Sequence, residues 1–148
     1  RGRLARKKDM TDIPNGSCLC GAVRFTTNGP LRGVGFCHCS QCRKQTGYCY
    51  AATNVADENL RVDGSESITW YEASDFARRG FCRACGSALF WKPREGAYTS
   101  VLAGLFDPPS GLKGECHIFV ADKGDFYEIA DDLPQFEQST PAVKVAQS

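Results

Sequence analysis

Cys37-His38-Cys39-Ser40-Gln41-Cys42 decides how this chain is read, together with Cys18-Leu19-Cys20-Gly21 ahead of it and Cys82-Arg83-Ala84-Cys85-Gly86 behind it. Seven of the nine cysteines fall in these three groups, so their spacing is the main structural statement the sequence makes. In an extended segment residues i and i+2 point to one face, so Cys18 and Cys20 can offer two sulfurs to one ion; CxxC does the same around a tight knuckle. Zinc takes a tetrahedron of ligands, and seven cysteines divide as four plus three. Four sulfurs close a structural site, whereas three leave a position for water or substrate. Gly21 and Gly86, directly after two of the groups, suit the close backbone approach such a clamp requires.

Spacing alone leaves two matters open. The pair Cys82 and Cys85 can join the first group or the middle one. The fourth position of the middle group is either open or filled by His38, Cys49, Cys116 or His117, which would make a second structural zinc. His38 alternates away from the face shared by Cys37 and Cys39. A disulfide scaffold is a poorer account, because the cysteine count is odd and CxC and CxxC are too short for ordinary bridges. A redox dithiol at Cys82 and Cys85 would be expected inside a βαβ pattern, and none surrounds it.

With 148 residues, 42% of them hydrophobic, the chain has the size of a single domain. The formal charge of +1 gives no bulk positive surface for nucleic acid. Seven thiolates and two Zn²⁺ would bring it to roughly −2. The basic run Arg1, Arg3, Arg6, Lys7, Lys8 precedes Met10-Thr11-Asp12, which reads as a natural start, so residues 1–9 are expected to be an added segment or an upstream extension. No apolar stretch reaches membrane-helix length and no signal-peptide core is visible, from which a cytoplasmic protein without membrane partners is expected.

The rest of the chain reads as strands separated by turns. Strand-like runs cover 23–27, 48–55, 68–72, 88–91, 98–102 and 116–121, rich in aromatic or β-branched residues and punctuated by Gly and Pro. One short helical segment carries Gln41 to Gln45, with Ser40 in the N-cap position and Gly47 as its stop. The expected fold class is mainly β. The expected divisions are an N-terminal tail over 1–14, a zinc-binding domain over 15–137 and a C-terminal tail over 138–148.

Read in order, Gly16-Ser17-Cys18-Leu19-Cys20-Gly21-Ala22-Val23-Arg24-Phe25, Cys37 to Gly47, and Phe81-Cys82-Arg83-Ala84-Cys85-Gly86-Ser87-Ala88-Leu89-Phe90 closely resemble the glutathione-dependent formaldehyde-activating enzyme family, which also includes centromere protein V. His117-Ile118-Phe119-Val120 and Asp132-Leu133-Pro134-Gln135-Phe136 resemble that family's closing signatures, so the likeness spans roughly residues 15 to 137. It implies a β-tent fold of short antiparallel sheets stapled by two zincs. The structural zinc would lie on Cys18, Cys20, Cys82 and Cys85, and the catalytic zinc on Cys37, Cys39 and Cys42.

The implied activity is that of a carbon–sulfur lyase resembling S-(hydroxymethyl)glutathione synthase. A thiol such as glutathione would bind the open zinc and add to formaldehyde or a related small carbonyl. A soft thiol suits a thiolate-rich zinc, and coordination promotes its deprotonation. Arg43 and Lys44 are either candidates to attract a carboxylate of the thiol substrate or part of a solvated helix face, Arg78 and Arg79 share that ambiguity, and His117 is either a candidate proton shuttle or a hydrogen-bonded strand residue. Phe36, Tyr48, Tyr50, Phe90 and Trp91 are expected chiefly in the core, with a minority lining a pocket. The competing reading is a non-catalytic binding or scaffold module held by two structural zincs.

Overall fold

The computed structural model describes residues 13–140. The basic run, Met10 and the last part of the expected C-terminal tail, 141–148, lie outside the described residues. Ten strands and one α-helix follow in chain order: β1 (Asn15–Ser17), β2 (Arg24–Thr27), β3 (Val34–Cys37), α1 (Ser40–Thr46), β4 (Tyr50–Ala56), β5 (Leu60–Asp63), β6 (Ile68–Glu72), β7 (Ala77–Cys82), β8 (Ala88–Pro93), β9 (Tyr98–Leu102) and β10 (Gly114–Ile118). Among the described residues no helix is long and apolar enough to cross a membrane.

The mainly β class expected from the turn punctuation is what the chain adopts. Two sheets form, one of three strands in the order β1-β2-β5 and one of seven in the order β10-β3-β4-β9-β8-β7-β6. The expectation of purely antiparallel sheets needs one correction. β10 pairs with β3 in parallel, matching Cys116 with Gly35 and Ile118 with Cys37. Parallel neighbours need a long crossover, and the chain supplies one by passing through six other strands between β3 and β10.

The core lies between the two sheets. Phe25 of β2 meets Phe90 of β8 and Phe106 edge-on, with ring centroids 6.2 and 5.0 Å apart. Val23, Val55, Leu89 and Val101 fill the space around them. Burial follows the strand period where one face is wet, as in β2, and covers the first four residues of β9, which runs through the middle of the large sheet. Gly64 lets the β5–β6 turn close over the first cysteine group: its φ is 82°, and a Cβ there would lie 1.9 Å from the Ala22 carbonyl oxygen.

Helix α1 departs from its expected cap. Its N-cap is Cys39, whose sulfur accepts the Cys42 N–H at 3.4 Å, while Gly47, at φ 82°, ends it in the left-handed region. A thiolate serves as a cap because it offers the lone pairs that an Asp or Ser oxygen usually supplies. Four strands escaped the sequence reading: β1, β3, β5 and β7. In β7 two arginines and a glycine hide a strand in which Ala77, Arg79, Gly80 and Cys82 are buried, the alternation broken by an irregularity after Gly80.

Candidate metal centres and an adjoining cavity

The three cysteine motifs converge on two points. Cys18, Cys20, Cys82 and Cys85 form one group and Cys37, Cys39 and Cys42 another, the sulfurs of each lying within 4.8 Å of one another. Four sulfurs at about 2.3 Å from one zinc stand about 3.8 Å apart along a tetrahedron's edge. The Cys18–Cys20 and Cys20–Cys82 sulfur pairs are separated by 3.6 and 3.8 Å. The donor set and its spacing therefore fit zinc, and the partition that spacing left open is four plus three, with Cys82 and Cys85 in the first group.

The two groups sit in different surroundings. In the first, Cys18 and Cys82 belong to the main core, at 2% and 0% exposure. The Val23 N–H donates to Cys18 Sγ at 3.3 Å, and the Ser87 hydroxyl lies 3.2 Å from Cys85 Sγ and lowers that thiol to about 5. Leu19 N–H in turn donates to Ser87 Oγ, tying the two knuckles together. This is a clamp between β1–β2 and β7–β8, built into the packing.

The second group opens on space. Cys37 ends β3, Cys39 caps α1 and Cys42 lies on its first turn, so one strand-to-helix corner supplies all three sulfurs. Hydrogen bonds from Cys37 and Cys42 hold the Cys39 thiol far below its ordinary pKa. At Cys42 the Cys37 contact pulls the other way, but Cys39 and burial prevail and push it up to about 11. One ready thiolate among three sulfurs is a natural seat for a soft cation.

Strand alternation builds the rest of the site. Cys37 faces Tyr50 across β3 and β4, and Gly35 faces Ala52 two residues along. The ladder continues from Asn54 to Ser100, from Ser100 to Trp91 and from Trp91 to Arg79 across β4, β9, β8 and β7. All these side chains share one face of the large sheet, and with the corner of α1 they line a half-open cavity of about 1000 Å³. Arg79, 5% exposed, donates from Nη2 to Cys42 Sγ at 3.4 Å and from Nη1 to Gln45 Oε1 at 2.8 Å. Its guanidinium also stands 5.3 Å from the centre of the Tyr50 ring.

The other candidates fall elsewhere. His117 points to the opposite face from Cys116 and Ile118 and is outside the cavity wall. There it joins a relay in which Tyr127 Oη meets His38 Nδ1 at 2.5 Å, His38 Nε2 meets His117 Nδ1 at 2.8 Å, and His117 Nε2 meets Asp131 Oδ2 at 2.9 Å. His38 thus lies on the side away from the sulfurs, as its alternation predicts. Cys116 lines the cavity; Cys49 does not. Arg43 and Lys44 are outside the cavity wall, Lys44 being exposed, and Arg78 stacks over Trp70 at 4.2 Å. Of the five aromatics, Phe90 is in the core, Tyr50 and Trp91 line the cavity, Phe36 stacks on His117, and Tyr48 is 47% exposed against Tyr127. The sequence reading missed Arg32, Tyr127 and Asp131, none of which carries a local motif.

Residues 13–122 match the family described as glutathione-dependent formaldehyde-activating enzyme. The chain belongs to that family. It is 34% identical over 128 residues to a putative glutathione-dependent formaldehyde-activating enzyme of Halomonas elongata, covering 77% of this chain and 79% of that one. It is 28% identical over 127 residues to an uncharacterized lyase of Schizosaccharomyces pombe, covering 82% and 88% respectively. A crystal structure of a Rhodobacter sphaeroides protein superposes with a TM-score of 0.54 at 30% identity, over 64% of this chain and 88% of the other.

Proposed function

We propose that this family member is a lyase that makes and breaks a bond between the sulfur of a small thiol and the carbon of a small aldehyde. The observation that carries the reading is the placement of Cys37, Cys39 and Cys42 at the wall of a cavity, whereas the four-cysteine group lies outside that cavity and is anchored in the core through Cys18 and Cys82. The names of the relatives, a lyase and a glutathione-dependent formaldehyde-activating enzyme, support the reaction class and suggest glutathione and formaldehyde as reactants.

Zinc held by the three sulfurs supplies a soft acceptor that favours the thiolate form of a substrate thiol. The chain's own residues supply the rest. Arg79 donates to Cys42 and would stabilise the negative charge that this sulfur takes on as a metal ligand. Tyr50 and Trp91 wall the cavity with apolar rings beside the sulfurs. In the forward direction the thiolate sulfur adds to the carbonyl carbon, the carbon–sulfur bond forms, and the carbonyl π pair moves to oxygen, which takes one proton. The reverse step returns that proton and expels the thiolate. Confining both reactants in one cavity supplies much of the acceleration by proximity.

The test is NMR exchange spectroscopy on glutathione and formaldehyde with and without the zinc-loaded chain, alongside metal analysis. Faster exchange is expected with wild type, and none with Cys42→Ala, which should keep its fold and lose one zinc. Exchange no faster than the uncatalysed background with wild type would remove this reaction. Unfolding of Cys42→Ala would instead favour a scaffold with two structural metals.

A further inference from the structure

The wall of the cavity contains three arginines in different situations. Arg79 is engaged by Cys42 and Gln45, and Arg94 pairs with Glu72 in an exposed salt bridge at 2.8 Å. Arg32 is half-buried and has no carboxylate within 4 Å among the described residues. Its Nε donates to the Gly33 carbonyl and its Nη2 to the Ala52 carbonyl, each at 3.2 Å. Its own carbonyl is pinned by the hydroxyl of Thr53, a residue with 0% exposure. Backbone and guanidinium are therefore both fixed before any ligand arrives.

A half-buried guanidinium whose hydrogen bonds go only to neutral carbonyls is an incomplete site. It stays charged, and partial burial with no carboxylate in direct contact leaves room for an anion to complete it. Glu115 and the Cys116 thiol act on it only through space. The guanidinium reaches the Gly35–Ala52 pair, two residues along β3 from the Cys37–Tyr50 pair, which places it roughly 7 Å from the sulfur corner by the rise of a strand. Between these two points the wall is apolar or aromatic, formed by Ala52, Tyr50, Trp91 and Ile118. At the outer rim the exposed Asp75 and Glu95 repel a second anion.

We infer that Arg32 is the carboxylate anchor of this cavity, so that its substrate is a thiol, or thiol adduct, with an apolar body ending in a carboxylate. The inference rests on the thiol-lyase reading for the sulfur end, but the anchor itself does not require it. A carboxylate can complete the guanidinium in the fork geometry that a neutral amide cannot match, and a charge-assisted pair of this kind discriminates by about tenfold or more.

The experiment titrates the zinc-loaded full chain, labelled at arginine side chains, with 3-phenylpropanoate and separately with 3-phenylpropanamide, following the Arg32 Nε–H resonance by NMR. Wild type should bind the acid at least about tenfold more tightly than the amide. Arg32→Gln should bind the two alike; Arg32→Lys should keep part of the preference, and serves as the variant should the glutamine protein fail to fold. Equal binding of acid and amide by wild type, binding of neither, or a preference that survives in folded Arg32→Gln would overturn the assignment. Neither probe contains sulfur, so an acid preference without thiol addition would sink only the lyase reading, and lyase activity without an acid preference would sink only the anchor.

Discussion

Arg79 Nη2 donates to Cys42 Sγ at 3.4 Å, joining β7 to the three-cysteine corner 37 positions earlier in the chain. The bond links the two cysteine groups, since the strand that carries Arg79 into the cavity ends at Cys82 of the four-cysteine group. Groups one bond removed from a metal ligand typically alter metal affinity by about 10–100-fold. Arg79→Lys keeps the charge and loses the planar fork, so the middle cysteine group should release zinc to a chelator at about that much lower concentration, with the four-cysteine group unchanged. Equal release of both zincs by wild type and variant would refute the link.

The two groups should also differ in what their loss does to the fold. Cys82 and Cys18 are inside the main core, whereas Cys37 and Cys39 are half-buried at a cavity wall. Structural zinc sites contribute folding free energy outright, about 10 kcal/mol or more in small peptides. Cys82→Ala should lower the melting temperature by about 10 °C or more, as a loss of several kcal/mol would in a domain this size. Cys37→Ala should lower it far less. Equal shifts in calorimetry would mean that both groups are structural.

Much of this arrangement was legible before folding, because the strongest signals were local. The CxC and CxxC spacings declare which sulfurs can share an ion, and the strands at Ile68–Glu72 and Tyr98–Leu102 announce themselves by composition with matching bounds. What escaped was set by tertiary contact. Arg79 reads equally as a solvated charge or as a substrate-carboxylate partner until Cys42 and Gln45 receive its donors. Gly80 carries no local signal for its place in a strand, where Trp70 lies 3.0 Å from where its Cβ would be. Arg32 sits in a loop between strands, and only the β3–β4 register brings Ala52 to its guanidinium. The parallel partner of β3 lies almost eighty residues downstream, and no local pattern encodes that choice.

Asp131 gives a pH test on the face away from the sulfurs. A hydrogen bond from His117, another from the Leu133 N–H and the charge of the imidazole hold its carboxyl below the usual 3.8. A depressed carboxyl contributes stability that is full above the unfolded pKa and is lost as pH falls through the lower folded value. The melting-temperature gap between wild type and Asp131→Asn should therefore be constant above about pH 5 and close as pH falls below 3.8. A gap that widens toward acid would contradict the bond to His117.

Two glycines with the same backbone angle should respond differently to alanine. Gly47 and Gly64 both have φ 82°, but a Cβ at Gly47 meets nothing within 4 Å, whereas at Gly64 it would lie 1.9 Å from the Ala22 carbonyl oxygen. The left-handed conformation alone costs alanine about 1–2 kcal/mol. Gly47→Ala should lose about that much in urea unfolding, and Gly64→Ala clearly more, since backbone beside Cys20 has to move. Equal losses would show that the turn over Ala22 gives way freely.

Tyr50 provides the last test. Its hydroxyl is closed to solvent and has no hydrogen-bond partner among the described residues, and burial pushes the phenol's pKa up. An unsatisfied buried polar group costs about 1–3 kcal/mol, and replacing it with hydrogen removes that cost while the ring stays in place beside Arg79. Tyr50→Phe in the metal-free chain should therefore be as stable as wild type or more so, a direction opposite to that of most core substitutions. Loss of more than about 1 kcal/mol on removing the hydroxyl would reveal a hydrogen-bond partner. If stability holds but thiol exchange by the zinc-loaded variant falls, the hydroxyl acts on the reacting atoms, which would place Tyr50 with the sulfurs in the chemistry and not merely in the wall.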